Sequence, residues 1–271
     1  MRAKIPGFSA FAAAFILLLT TVASRAVLLD WAALPGGQTW ANGSTTNQYN
    51  LDGVAGNDIQ ITITKSAGIT WATEPSNGQS YPQNFADPVI ENGVRGLQMW
   101  TSAGMVNSTN NITVTITFLG TYATGAYVQN LTLFDVDASG TFIDKVTISA
   151  LKGATPVTLT ATNNSAAGTP ANTISGSGST SVVALGSTAV GNITNTQGDV
   201  YVNTGNQLVT SITLVWNNPG PNFGSQAIDL GNITFTPEVG SSTAALALCG
   251  GLLVFGRRRQ TTARSIASSA A

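Results

Sequence analysis

The 271 residues contain no histidine and a single cysteine, Cys249. The first absence removes every nucleophilic triad built on an imidazole base. The second leaves no disulfide framework, so an exported domain of this sequence relies on its core, its hydrogen bonds or bound ions. Cys249 lies in an apolar run near the C-terminus, with no partner there for nucleophilic or metal chemistry. Charge is scarce as well, at 8% of residues. Between Val27 and Thr236 only Lys65, Arg95, Lys145 and Lys152 are basic, against eleven acidic residues, a net of −7. A stretch of that balance has no basic face for nucleic acid. Glutamate is rarer still: Glu74 and Glu91 are the only two before the tail. A secreted glycoside hydrolase needs two opposed carboxylates, and both glutamates sit in loop-like sequence beside Pro75 and Asn92.

The missing positive charge is at the ends. Arg2 and Lys4 precede an apolar stretch, Phe8 to Leu19, and Ser24-Arg25-Ala26 places small residues for cleavage before Val27. This predicts a signal peptide over 1–26, with the export machinery and signal peptidase as partners. At the other end, Pro237 and Glu238 are followed by a small-residue spacer, an apolar run from Ala244 to Phe255, and Arg257, Arg258 and Arg259. As a helix rising about 1.5 Å per residue the run covers roughly 20 Å. It spans a bilayer core of about 30 Å if Gly240 to Thr243 join it and the arginines snorkel. The arginines keep their flank cytoplasmic and the preceding domain outside.

Pro-Glu, a short apolar helix and an arginine cluster resemble a PEP-CTERM sorting signal over Pro237–Arg259. Val239 stands where such signals carry a second proline, and Gln260–Ala271 follow the arginines as a short tail. The resemblance implies processing by an exosortase-like membrane enzyme. It also implies a place at the surface or in the extracellular matrix of a bacterium that makes extracellular polysaccharide.

What lies between, 27–236, reads as one all-β domain. Ile112, Val114, Ile116 and Phe118 alternate strictly with Thr113, Thr115 and Thr117, the period of a strand with one buried and one wet face. Similar runs occur at Ile59–Thr64, Tyr127–Val136, Phe142–Leu151, Pro156–Thr162, Ser181–Leu185, Val200–Asn203, Leu208–Trp216 and Gln226–Phe235. Gly, Asn, Pro and Ser separate them. No helical period appears, and the pattern predicts a single β-sandwich or jelly roll. Apolar parity changes at Gly231, which predicts a β-bulge. Asn163–Thr180 reads as a surface loop or hairpin tip.

Asp135, Asp137 and Asp144 form the one carboxylate cluster, around a Gly140 turn. Hard oxygen ligands suit calcium; the alternative is a hairpin whose aspartates cap turns. Together with the strands that follow, this segment, from Asn111 to Phe235, resembles the lectin-like jelly rolls of bacterial surface adhesins. That implies ligand binding, with extracellular polysaccharide as partner. Trp40 and Tyr81 are the candidate glycan contacts if exposed, whereas Trp216, closing an alternating strand, reads as core. The sequence reading is therefore a secreted, anchored, non-enzymatic β-sandwich. Its rivals are a carbohydrate-binding or adhesive module with a calcium site and a secreted glycoside hydrolase.

Overall fold

The computed structural model describes residues 25–86, 95–106, 108–164, 168–190, 196–220 and 225–238. Residues 1–24 of the expected signal peptide, Glu91, Cys249 and the arginine cluster of the tail lie outside them. Arg25–Glu238 forms one compact unit. Two antiparallel β-sheets build it, and among the described residues there is no α-helix, only 3-10 turns at Pro35–Gly37 and Gly120–Tyr122.

One sheet has eight strands. Its main path runs β12 (Asn172–Ser175), β13 (Ser181–Gly186), β9 (Lys145–Lys152), β16 (Ser211–Asn217), β7 (Ile112–Phe118), β3 (Ile59–Lys65) and β2 (Thr46–Tyr49), and β10 (Thr155–Val157) adds to β9. The alternation predicted for β7 is what buries it: Ile112, Val114, Ile116 and Phe118 face inward, and the threonines between them are half-exposed. Register carries that pattern across the sheet. Thr46, Thr62, Thr115, Thr213, Ser149 and Ser181 pair in sequence, so one row of hydroxyls crosses six strands.

The second sheet has nine strands, with the path β11 (Thr160–Asn163), β14 (Val200–Asn203), β8 (Ala126–Phe134), β17 (Gln226–Pro237), β6 (Arg95–Ala103) and β4 (Thr70–Trp71). β1 (Val27–Leu29), β15 (Leu208–Val209) and β5 (Gln83–Ala86) pair with β17, β8 and β6 respectively. The inner faces meet where Phe235 of β17 packs 5.0 Å from Phe118 of β7 and 4.9 Å from Tyr122, ring centre to ring centre. All three rings are buried, and contacts of this kind across the layers carry the hydrophobic stabilisation of a sandwich.

The bulge predicted at Gly231 is present as a register shift between Leu230 and Ile233. Its neighbours explain the glycine: a Cβ there would stand 2.6 Å from the Phe134 ring. The Gly231 carbonyl accepts the Trp31 indole N–H at 2.9 Å, and the Asn232 amide oxygen accepts the Trp31 backbone N–H at 3.1 Å.

Two predicted strands each divide between the sheets. Pro156–Thr162 becomes β10 on one sheet and β11 on the other, and Leu208–Trp216 becomes β15 and β16. At the second crossing Thr210 donates its N–H to Leu151 O at 2.7 Å and accepts from Phe118 N at 3.0 Å. Corner residues satisfied in this way let the chain change layers without orphaning its backbone. The expected loop 163–180 contains strand β12, an edge with one half-buried aliphatic side chain, Ile174.

Candidate functional site

β8 ends at Phe134 and a hairpin leads to Lys145, the start of β9. Its stem is an isolated bridge, Ala138 to Ile143, extended by the Asp144 N–H donating to Asp137 O at 2.9 Å. Asp137 and Asp144 thus stand opposite each other, where like charges repel. Asp144 is fully buried and Asp137 is 5% exposed. One Asp144 oxygen, Oδ1, accepts the Trp216 indole N–H at 2.8 Å, and Asp137 Oδ2 accepts the Val190 N–H at 2.6 Å. Burial pushes the Asp137 carboxyl up to about 6. It also drives Asp144 well above the ordinary carboxylate value, and the Asp137 charge adds to the rise.

The expectation of a triad of aspartates is corrected. Among the described residues no three metal-ligating side chains of the His, Cys, Asp or Glu type gather. Asp135 is half-exposed at a left-handed position, φ 62°, and the pair that assembles is Asp137 with Asp144. Alternation places residues two apart on one face only while the strand is regular, and the left-handed Asp135 ends that regularity before Asp137.

Trp40 and Tyr81 are likewise corrected as exposed glycan contacts, being 3% and 0% exposed. Trp40 packs edge-on against Trp31, with centres 6.3 Å apart. Tyr81 packs against Trp100 and donates its hydroxyl to Glu74 Oε2 at 2.5 Å. That hydrogen bond, seconded by the Ser76 N–H, holds the Glu74 carboxyl below its ordinary value. Glu74 is therefore spent on a local turn, and Glu91 lies outside the described residues. Trp216 is in the core, as its alternation predicts. Pro237 closes β17 and Glu238 follows it exposed.

A surface the sequence reading did not single out lies where the outer face of the nine-stranded sheet meets the β9–β10 hairpin of the other sheet. Tyr127 and Gln129 are successive outward residues of β8. Tyr127 pairs with Leu208 on one side and Thr236 on the other. Two adjoining depressions, of about 560 and 340 Å³, share Tyr127 and Asn206 in their walls. Lys152, Pro156 and Gln207 close the larger; Gln129 and Thr236 close the smaller. Gln207 is tied to Thr158 by its amide. The Tyr127 hydroxyl and the Gln129 and Asn206 amides make no hydrogen bond to any described residue. A half-buried phenol ring beside free planar amides offers an apolar face together with donors and acceptors. The only sequence signal for it is the alternation of β8 itself.

No family model and no curated protein matches the chain. Among solved structures, a family 11 carbohydrate-binding module from Clostridium thermocellum, in complex with a β-1,3-1,4-mixed-linked tetrasaccharide, aligns with 79% of this chain and 96% of its own. The TM-score is 0.26 and the identity 7%. Likeness of that degree decides nothing about what this chain binds.

Proposed function

We propose that this protein is an exported β-sandwich that acts by binding and not by catalysis, with extracellular polysaccharide as its ligand. In this reading the export machinery and signal peptidase deliver it. The Pro237–Arg259 segment then holds it at the bacterial envelope, as a PEP-CTERM-type substrate of an exosortase-like enzyme. The observation that carries the binding reading is the unspent hydrogen-bonding capacity around Tyr127. A sugar ring has apolar C–H faces and a rim of hydroxyls. Tyr127 supplies the stacking surface, and Gln129 and Asn206 supply hydroxyl partners without breaking any bond within the described fold.

The test is retardation of the full chain in gels containing soluble neutral and acidic polysaccharides. Tyr127→Ala is expected to weaken retardation about thirtyfold, since truncating an aromatic anchor costs about 2 kcal/mol. Equal retardation of wild type and variant, or no retardation by any polysaccharide, contradicts the reading. A structural role in the matrix is the second reading. It is favoured by the six-strand row of hydroxyls on the opposite sheet and by the burial of Trp31, Trp40 and Trp216.

A further inference from the structure

The Tyr127 surface carries a charge pattern unlike that of the domain around it. Between Val27 and Thr236 acidic residues outnumber basic ones eleven to four. None of the eleven lines either depression, yet one of the four does: Lys152 stands in the wall of the larger. Glu238, two residues beyond Thr236, lines neither. Of the other bases, Lys65 donates its ammonium to Ile69 O at 2.6 Å and Arg95 its guanidinium to Asn84 O at 3.5 Å. Lys145 opens β9, seven residues from Lys152 and so about 23 Å of strand away. Lys152 is exposed, and its ammonium makes no hydrogen bond or ion pair with any described residue.

The backbone holds that lysine in place. Lys152 closes β9 and pairs with Thr155 across a tight hairpin turn, in which Gly153 takes the left-handed angle, φ 61°. The Gly153 N–H donates to Thr210 Oγ1 at 2.9 Å, and the Thr210 N–H donates to Leu151 O at 2.7 Å. Two residues before Thr210, Leu208 pairs with Tyr127. One short segment therefore ties the lysine hairpin and the aromatic ring to each other across the two sheets. A fixed cation beside a phenol ring and free amides, in walls without a carboxylate, suits a sugar ring that bears an anionic substituent. Repulsion from carboxylates elsewhere on the domain is screened beyond about 8 Å at physiological ionic strength. We propose that this surface selects acidic polysaccharide over neutral. The anionic group sits in the larger depression at Lys152, and the uncharged part of the polymer lies over Tyr127 towards Gln129. This rests on the reading of the Tyr127 surface as a polysaccharide site. An ammonium is a point charge and not a planar fork, so it reads the charge of a carboxylate or a sulfate without distinguishing their shapes.

Affinity gels cast with matched pairs of polymers test it: polygalacturonate against its methyl ester, and dextran sulfate against dextran. Within each pair the backbone is shared and the charge differs. The full chain should bind the charged member of at least one pair about three- to fivefold more tightly. Added salt should erode the difference, and the pair that shows it tells carboxylate from sulfate. Lys152→Gln should abolish the preference. Lys145→Gln removes the same charge from the other end of the same strand and should keep it. Lys152 is exposed, so loss of the fold does not confuse its result. Equal retardation by both members of each pair, weakened alike by Tyr127→Ala, would overturn the acidic preference and leave the polysaccharide reading standing. A preference lost equally in Lys152→Gln and Lys145→Gln would also overturn it, since net charge would then be the cause. Retardation by none of the four polymers would contradict the polysaccharide reading itself and the proposal with it.

Discussion

Replacing Gly186 by alanine tests how tightly the 135–144 hairpin is seated on the eight-stranded sheet. The backbone angle of Gly186 is one that alanine adopts freely, so the substitution acts through space alone. The added Cβ would stand 1.8 Å from Asp137 O, 2.2 Å from Asp137 C and 2.9 Å from Ala138 N. These are backbone atoms, and no side-chain rotation relieves them. The hairpin must lift, and three hydrogen bonds are strained together: Asp144 N–H to Asp137 O, Ala138 N–H to Thr188 O, and Gly186 N–H to Asp144 O. At about 1 kcal/mol for each bond weakened, with about 1 kcal/mol or more of overpacking, the cost is about 4 kcal/mol. For a domain of this size that lowers the melting temperature by about 8–16 °C. The control is Gly140→Ala in the same hairpin, which has no neighbour within 4 Å and no left-handed backbone. It should be neutral, or stabilising by up to about 1 kcal/mol. Calorimetric melts of the two variants decide the matter. Gly186→Ala melting alongside Gly140→Ala would refute the close seating of Asp137 over β13.

Other consequences follow from packing and from one hydrogen bond. Phe235→Ala empties the place where the two sheets meet and should cost about 3–5 kcal/mol in chemical denaturation, whereas a cost under about 1 kcal/mol would mean the layers do not meet there. The depressed Glu74 carboxyl contributes stability that is present above its unfolded pKa and lost as pH falls through its lower folded pKa. Tyr81→Phe removes the chief cause, so the variant should lose less stability than wild type between neutral and strongly acidic pH; parallel acid titrations would contradict this.

Much of the fold is legible in the sequence, for physical reasons visible in particular strands. β7 alternates apolar and threonine because one face meets the core and the other meets water. Gly231 announces its bulge because the buried parity changes there and only a residue without Cβ fits under Phe134. β6 gives no such signal: Gln98 and Thr101 are both buried, so polar residues stand on each of its faces. Pro156–Thr162 reads as one strand because Val157, Leu159 and Ala161 stay in phase while the chain changes sheets. Between Val209 and Ile212 the parity does shift, and that shift marks the second crossing.

The sites are less legible, since they depend on contacts between distant segments. Trp40 lies in a polar stretch, and its burial comes from Trp31 and the walls around it. The Tyr127 surface needs β15 and the end of β17 brought alongside β8.

The claim on which the functional account rests is that this β-sandwich works outside the cell and is held there by its tail. Fractionation of a bacterial host producing the full chain, beside one producing a chain lacking Ser241–Ala271, tests it most directly. The account predicts that the full chain has lost its first 26 residues, resides in the envelope fraction and is cut by protease added to whole cells, while the shortened chain appears in the medium. A full chain that keeps its N-terminus and stays protected in the cytoplasm would contradict it, as would a shortened chain retained in the envelope to the same extent.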